Sequence, residues 1–150
     1  MNNRYTIEKE VKFCCAHRLN GHEGQCKNLH GHNYRVIVRI ESKELDPVGR
    51  VIDFSQIKEH IKKWIDDNWD HAFVYNHFDV IANRIVDACD GLKRFAMSTN
   101  PTAENMARHL LGEFSEMKWP IEYRKKIQVT KVTVYETDEA CASCECEFKK

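Results

Sequence analysis

The alternation of apolar and polar residues near the start of the chain predicts two strands. Apolar or aromatic side chains share one parity up to His17: Tyr5, Ile7, Val11, Phe13 and Cys15. A second run, from Asn33 to Ile40, alternates in the same way. Because strand side chains repeat every two residues, each run predicts a strand with one apolar face.

Helical spacing of apolar residues follows in three later segments. The first is Phe54 to Ile65 with Asp53 as N-cap, the second lies within 77–98, and the third follows Thr102 as N-cap. These segments predict two long helices and a shorter, less regular one. A strand from Ile127 to Tyr135 and a short one within 141–148 complete an α+β domain.

Composition narrows the classes of function. The 150 residues carry 23 Lys plus Arg and 23 Asp plus Glu, so the net charge is zero and no broad nucleic-acid surface is expected. No apolar run approaches the length of a membrane span. Seven cysteines, an odd number, do not suggest a secreted disulfide framework. We therefore expect a soluble, cytoplasmic protein with reduced thiols.

Three histidines fall at the ends of the two predicted apolar faces. His17 ends the first strand, and His30 and His32 have the parity of the second. If the strands are neighbours, the three imidazoles converge, which suits a zinc ion with an open fourth position. Two alternatives remain at this point: Cys26 closes the metal shell as a fourth ligand, or these are ordinary loop and strand-end histidines.

These residues also carry a family resemblance. Cys26-x-x-x-His30-Gly31-His32, preceded by Ala16-His17-Arg18-Leu19, resembles the 6-pyruvoyltetrahydropterin synthase family and is most similar to the bacterial 6-carboxytetrahydropterin synthases of queuosine biosynthesis. The downstream matches follow in order: Asp46-Pro47-Val48-Gly49, Asp53-Phe54, Asp70-His71, Pro101-Thr102-Ala103-Glu104-Asn105 and Val134-Tyr135-Glu136-Thr137. The ordered set is specific, although no single motif would suffice.

The resemblance implies the tunnelling fold, in which an antiparallel four-stranded sheet carries two long helices on one face. It implies a barrel-like homo-oligomer, usually a hexamer, with active sites between subunits. Residues 1–150 then form a single pterin synthase-like domain with an insertion at about 77–98, expected as a short helix over the pocket.

The resemblance also implies roles for individual residues. Zn²⁺ would be held by His17, His30 and His32, with Cys26 nearby as the general base. Asp70 and His71 would form a second proton-transfer pair, and Glu136 would anchor the pterin ring. Glu104 is a candidate second contact, although its position in the first turn of a helix is also explained by the helix dipole.

The implied reaction is that of a zinc-dependent lyase on a small pterin triphosphate. 7,8-Dihydroneopterin triphosphate would give 6-carboxy-5,6,7,8-tetrahydropterin, acetaldehyde and triphosphate. The alternatives are 6-pyruvoyltetrahydropterin synthase activity and a noncatalytic zinc- or pterin-binding module. The three-residue gap between Cys26 and His30 favours the reaction that gives 6-carboxytetrahydropterin and acetaldehyde. Trp69, where the family usually has Leu, and a tail with Cys141, Cys144 and Cys146 depart from the pattern. The tail cysteines are a minor candidate for a second metal site.

Overall fold

The fold is that of a computed structural model, which describes residues 3–149. Its strands are β1 (Tyr5–His17), β2 (His30–Ser42), β3 (Ala72–Asn76), β4 (Arg94–Met97), β5 (Ile127–Tyr135) and β6 (Cys141–Glu145). Its α-helices are α1 (Phe54–Ile57), α2 (Lys63–Asn68), α3 (Val80–Ala88), α4 (Ala103–Ser115) and α5 (Ile121–Arg124). A π-helical turn, Lys58–Lys62, joins α1 to α2.

All six strands form one mixed sheet in the order β4-β3-β1-β2-β5-β6. The neighbouring strands β1 and β2, β2 and β5, and β5 and β6 pair antiparallel. β3 runs parallel to both β1 and β4. The expectation of four antiparallel strands therefore omitted two strands of the sheet, β3 and β4. The two added strands are short segments after α2 and α3: β3 pairs with the open edge of β1, and β4 pairs with β3.

The register of β1 and β2 determines where the histidines lie. His17 pairs with His30, and Cys15 pairs with His32. Side chains that face each other across an antiparallel pair share one face of the sheet. The strand pairing alone therefore brings all three imidazoles to the same end of the same face.

The helices from Phe54 to Asn68 and α4 cover this face. Their buried side chains pack on the inward residues of β1, β2 and β5: Ile57, Ile61, Ile65, Met106, Ala107, Leu110, Leu111 and Phe114. Both predicted N-caps are confirmed, since Asp53 accepts a hydrogen bond from the Ser55 amide and Thr102 accepts one from the Asn105 amide. Two long helices on one face were therefore predicted correctly.

The segment 77–98 contains the predicted short helix and a strand that was not predicted. Asp79 caps α3, and Gly91 takes a left-handed conformation with φ of +73°. The four-residue strand β4 is too short to give a clear alternation. A small second core of Phe73, Tyr75 and Ala82 lies here, with Ala16 and Ile85 packed against it. That the segment is an insertion stays a prediction.

In the described range, 3–149, no helix combines the length and the apolar character that crossing a membrane requires.

Candidate metal and pterin site

His17, His30 and His32 converge at the end of the β1–β2 pair. One nitrogen from each ring lies within 4.8 Å of the others, and the ring centroids are 4.6 to 5.1 Å apart. His17 is fully buried, whereas His30 and His32 are half-buried. The three side chains therefore present nitrogen atoms to one point that solvent can reach.

Two backbone carbonyl groups orient these rings. Nδ1 of His17 lies 2.8 Å from the Pro101 carbonyl oxygen, and Nδ1 of His30 lies 2.8 Å from the Asn28 carbonyl oxygen. A carbonyl only accepts, so each Nδ1 carries the proton and each Nε2 keeps a lone pair. The two Nε2 atoms are only 3.1 Å apart.

This arrangement fits a cation. Two lone pairs that face each other repel unless a proton or a metal lies between them, and Nε2 of His32 is buried without a hydrogen-bond partner. Metal-binding histidines commonly donate their second nitrogen to a carbonyl group, as His17 and His30 do here. The donor set thus has the chemistry of a metal centre in which three protein ligands leave one position open.

Burial favours the neutral form of two of these imidazoles. It lowers the pKa of His17 to about 4, and it also lowers the pKa of His32, against the opposing charge of Glu136. An imidazole must be neutral to bind a metal. These two ligands are therefore ready to bind near neutral pH.

Glu136 lies beside the histidines. It follows β5 directly, and its Oε1 atom is 3.6 Å from Nε2 of His32.

A bulge opposite Arg39 and Ile40 shifts the register of β5. As a result, Ile127 and Val129 before the bulge and Val132 and Val134 after it are all buried. Glu104, by contrast, is an exposed residue in the first turn of α4.

Cys26 lies in a 3-10 turn, Gln25–Lys27, and is half-buried. Among the described residues, the ligand atoms grouped at this centre come from His17, His30 and His32, and Cys26 is not a member. The turn is tied to the end of β1, because the Leu19 amide donates to the Cys26 carbonyl oxygen at 2.9 Å. The Cys26 turn therefore lies beside the end of β1, and the role of its thiol stays a prediction.

Sequence reasoning missed the role of Arg18. Its Nε donates to the Lys27 carbonyl oxygen at 3.0 Å, and its guanidinium forms an ion pair with Asp79, the N-cap of α3. Both side chains are buried. Arg18 thereby joins the Cys26 turn to α3, and the only signal in the sequence was its place next to His17.

Asp70 and His71 form a pair in the turn between α2 and β3. Oδ2 of Asp70 is 2.9 Å from Nδ1 of His71, and Oδ1 accepts the Cys14 amide at 3.1 Å. Burial alone would raise the pKa of Asp70, but the hydrogen bonds from Cys14 and His71 outweigh it, and the pKa lies below its ordinary value. Trp69 anchors the turn, fully buried against Phe13.

A cavity of about 540 Å³ lies between the two groups of site residues. His32 and His71 both line it, together with apolar side chains that include Phe73, Ile85 and Leu92. Neither Glu136 nor Glu104 is among its lining residues. The chain thus presents a mostly apolar cavity with imidazoles from both groups on its wall.

The tail cysteines do not form a second metal centre in the described structure. Cys141 and Cys144 belong to β6 at positions of opposite parity, so their side chains leave the strand on opposite faces. Neither they nor Cys146 enter any group of three or more candidate ligands among residues 3–149. The described residues therefore give no support to the minor expectation of a tail metal site.

Comparison with known proteins defines the class. The family model described as 6-pyruvoyl tetrahydropterin synthase matches residues 6–147. The chain therefore belongs to the 6-pyruvoyl tetrahydropterin synthase family, whose members are lyase-type enzymes. The resemblance identified from the motifs is confirmed.

Curated relatives indicate which members of the family this chain resembles. A 6-carboxy-5,6,7,8-tetrahydropterin synthase of Rickettsia felis is 41% identical over 70% of this chain and 76% of its own length. The protein of that name from Rickettsia conorii is 36% identical over 86% of this chain and 91% of its own length. The one from Haemophilus influenzae is 33% identical over 97% of this chain and 99% of its own length. Similarity to proteins of this name thus extends over most of the chain.

Solved structures bear out the fold. An uncharacterized protein from Wolinella succinogenes superposes with a TM-score of 0.80 at 25% identity, covering 97% of this chain and 99% of its own. The 6-pyruvoyl tetrahydropterin synthase of Plasmodium vivax has a TM-score of 0.73 at 21% identity, covering 97% of this chain and 99% of its own. The α+β tunnelling fold expected from the motifs is confirmed, with a six-stranded mixed sheet.

Proposed function

We propose that the chain is a zinc-dependent lyase that converts 7,8-dihydroneopterin triphosphate to 6-carboxy-5,6,7,8-tetrahydropterin, acetaldehyde and triphosphate, in the pathway that supplies queuosine. The observation that carries the proposal is the convergence of three oriented imidazoles beside Glu136, in a chain whose curated relatives bear the name of this activity. A metal centre that is open on one side suits catalysis better than structural support.

The metal ligands in this proposal are His17, His30 and His32. Zn²⁺ bound there would act as a Lewis acid that polarises the oxygen atoms of the substrate side chain. The Pro101 and Asn28 carbonyl groups support the assignment, since they hold two of the rings with Nε2 toward the centre.

Two groups would move protons. Cys26 is the proposed general base, which removes a proton from the carbon side chain of the pterin; its turn lies close to the centre without joining the ligand group. Asp70 and His71 are the proposed second pair, in which the ionised carboxylate orients the imidazole that exchanges the proton.

Glu136 is the proposed anchor of the pterin ring. An ionised carboxylate accepts two hydrogen bonds side by side, which matches a ring N–H and an exocyclic amine. Its distance of 3.6 Å from His32 would hold the ring next to the metal centre. Glu104 is kept as a weaker candidate contact.

We also propose a homohexamer with active sites between subunits, in which Asp70 and His71 serve the centre of a neighbouring chain. The exposed position of His71, with 76% of its side chain accessible, supports a role toward a group outside its own chain. The cytoplasmic location stays a prediction.

The test is product analysis of the metal-loaded protein with 7,8-dihydroneopterin triphosphate, by mass spectrometry together with an acetaldehyde assay. We expect 6-carboxytetrahydropterin and one acetaldehyde per turnover. 6-Pyruvoyltetrahydropterin without acetaldehyde would instead assign the related synthase activity. No turnover from a metal-replete oligomer would favour a noncatalytic pterin-binding module.

A further inference from the structure

A second group of metal-binding side chains lies apart from the three histidines. It consists of Cys14, Asp70 and His71, and one ligand atom of each is within 4.8 Å of the other two. Cys14 comes from β1, whereas the other two come from the turn before β3. The group shares no residue with the histidine centre.

Backbone hydrogen bonds hold the three residues together. The Cys14 amide donates to Asp70, and the His71 amide donates to the Cys14 carbonyl oxygen at 2.7 Å. His71 has a φ of +60°, a conformation that non-glycine residues rarely adopt and that the surrounding contacts must maintain. The geometry is therefore imposed by the fold around Cys14 and the turn.

The three donors suit zinc. A thiolate, an imidazole and a carboxylate are all ordinary zinc ligands, and a set that contains sulfur disfavours Mg²⁺ and Ca²⁺. Cys14 is half-buried and His71 is exposed, so an ion can enter from solvent. Asp70 is already held in its ionised form by the hydrogen bonds that lower its pKa.

We propose that Cys14, Asp70 and His71 form a second, regulatory zinc site that inhibits the enzyme when the metal is in excess. The binding itself is independent of the proposed function, but the inhibition rests on the proposed role of Asp70 and His71 in proton transfer. A cation bound to both residues occupies the imidazole lone pair that would exchange the proton and the carboxylate that orients it, so occupancy stops turnover. This site is the weaker of the two because it must displace the hydrogen bond between them.

Metal stoichiometry tests the site without any assay of activity. Equilibrium dialysis with Zn²⁺ under reducing conditions should give two ions per wild-type chain and one per Cys14→Ser chain. Replacing the exposed Cys89, which lines the same cavity, with Ser should leave two. A background in which Cys141, Cys144 and Cys146 are serines removes binding by the tail. Equal stoichiometry in wild type and Cys14→Ser would overturn the site.

Cobalt substitution identifies the thiol. A thiolate-to-cobalt absorption band should appear only with the second equivalent of Co²⁺, vanish in Cys14→Ser and in Cys14→Ala, and persist in Cys26→Ser. A band that appears with the first equivalent and depends on Cys26 would overturn the assignment. The two Cys14 variants should give the same result, and unchanged circular dichroism confirms that each one folds.

Inhibition is tested separately. Once the first site is filled, further Zn²⁺ should reduce wild-type turnover at least tenfold, whereas turnover of Cys14→Ser should fall less than twofold relative to its own rate before the addition. Equal inhibition of both proteins would overturn the regulatory role. If neither protein turns over the pterin, the proposed function fails, and stoichiometry still decides whether the site exists.

Discussion

Arg18 and Asp79 form a buried ion pair that joins the end of β1 to the first turn of α3. Removal of Asp79 leaves the guanidinium of Arg18 buried without its charge partner. We expect Asp79→Ala to lower the free energy of unfolding by about 3–5 kcal/mol, measured by urea denaturation.

Two further variants control this prediction. Arg18→Ala should cost less, because Asp79 still accepts the Ile81 and Ala82 amides. Lys63→Ala removes an exposed ion pair with Asp67 and should change stability by no more than about 1 kcal/mol. A cost for Asp79→Ala as small as that for Lys63→Ala would contradict the structural role.

In the proposed mechanism, Cys26 moves a proton and does not bind the metal. Cys26→Ala should keep its metal and its assembly state and lose about 100-fold to 10,000-fold in kcat, the range typical of a lost general base. Metal analysis and steady-state kinetics check both parts, with Cys89→Ala as the matched control for an exposed thiol. Parallel loss of metal would identify Cys26 as a ligand.

Glu136 and Glu104 differ sharply in their surroundings. Glu136→Gln should reduce kcat/KM by about 100-fold without loss of metal, because an amide cannot accept both pterin hydrogen bonds. Glu104→Gln alters an exposed residue and should keep kcat/KM within about twofold. A large effect at Glu104 would instead make it a substrate contact.

Metal binding should stabilise the folded chain. At a free Zn²⁺ concentration about 100 times Kd, linkage adds about 2.7 kcal/mol, which corresponds to a rise in Tm of about 5–10 °C. Differential scanning fluorimetry with and without a chelator measures the rise. His32→Ala should lose most of it, whereas His77→Ala, at an exposed histidine, should retain it.

His109 makes stability depend on pH. Burial lowers its pKa from 6.5, partly offset by Glu113, so the unfolded chain takes up the proton first as pH falls. The titration of His109 therefore leaves the free energy of unfolding unchanged well above pH 6.5 and lowers it as the pH falls below 6.5. With metal removed, wild type should lose more unfolding free energy than His109→Gln between about pH 8 and about pH 5. Parallel curves would exclude this contribution.

The convergence of the three histidines could be predicted because it depends on local periodicity. Parity alone placed His30 and His32 on one face, and a single pairing of neighbouring strands then added His17. The groups that orient these rings could not be predicted, since Pro101 lies 84 residues from His17 along the chain. Backbone carbonyl groups carry no residue-type signal, and their position depends on tertiary packing.

The edge of the sheet was harder to predict for a different reason. β3 is buried at four of its five positions, so it shows no alternation, and β4 has only four residues. Short apolar segments fit a helix or a strand equally well until their neighbours are known. The role of Arg18 was also hard to predict, because its partner Asp79 lies 61 residues away along the chain.

The direct pairing of His17 with His30 has an evolutionary consequence. Because strand register sets the positions of His17 and His30, the middle of the loop, residues 21–23, can gain or lose residues without changing this pairing. Arg18 and Asn28 must stay in place, because they hold the Cys26 turn and orient His30. Within β2 the reverse holds, since one inserted residue would turn its histidines to the opposite face. The architecture thus separates a tolerant segment of the loop from an intolerant pair of strands, whose register keeps the three imidazoles together.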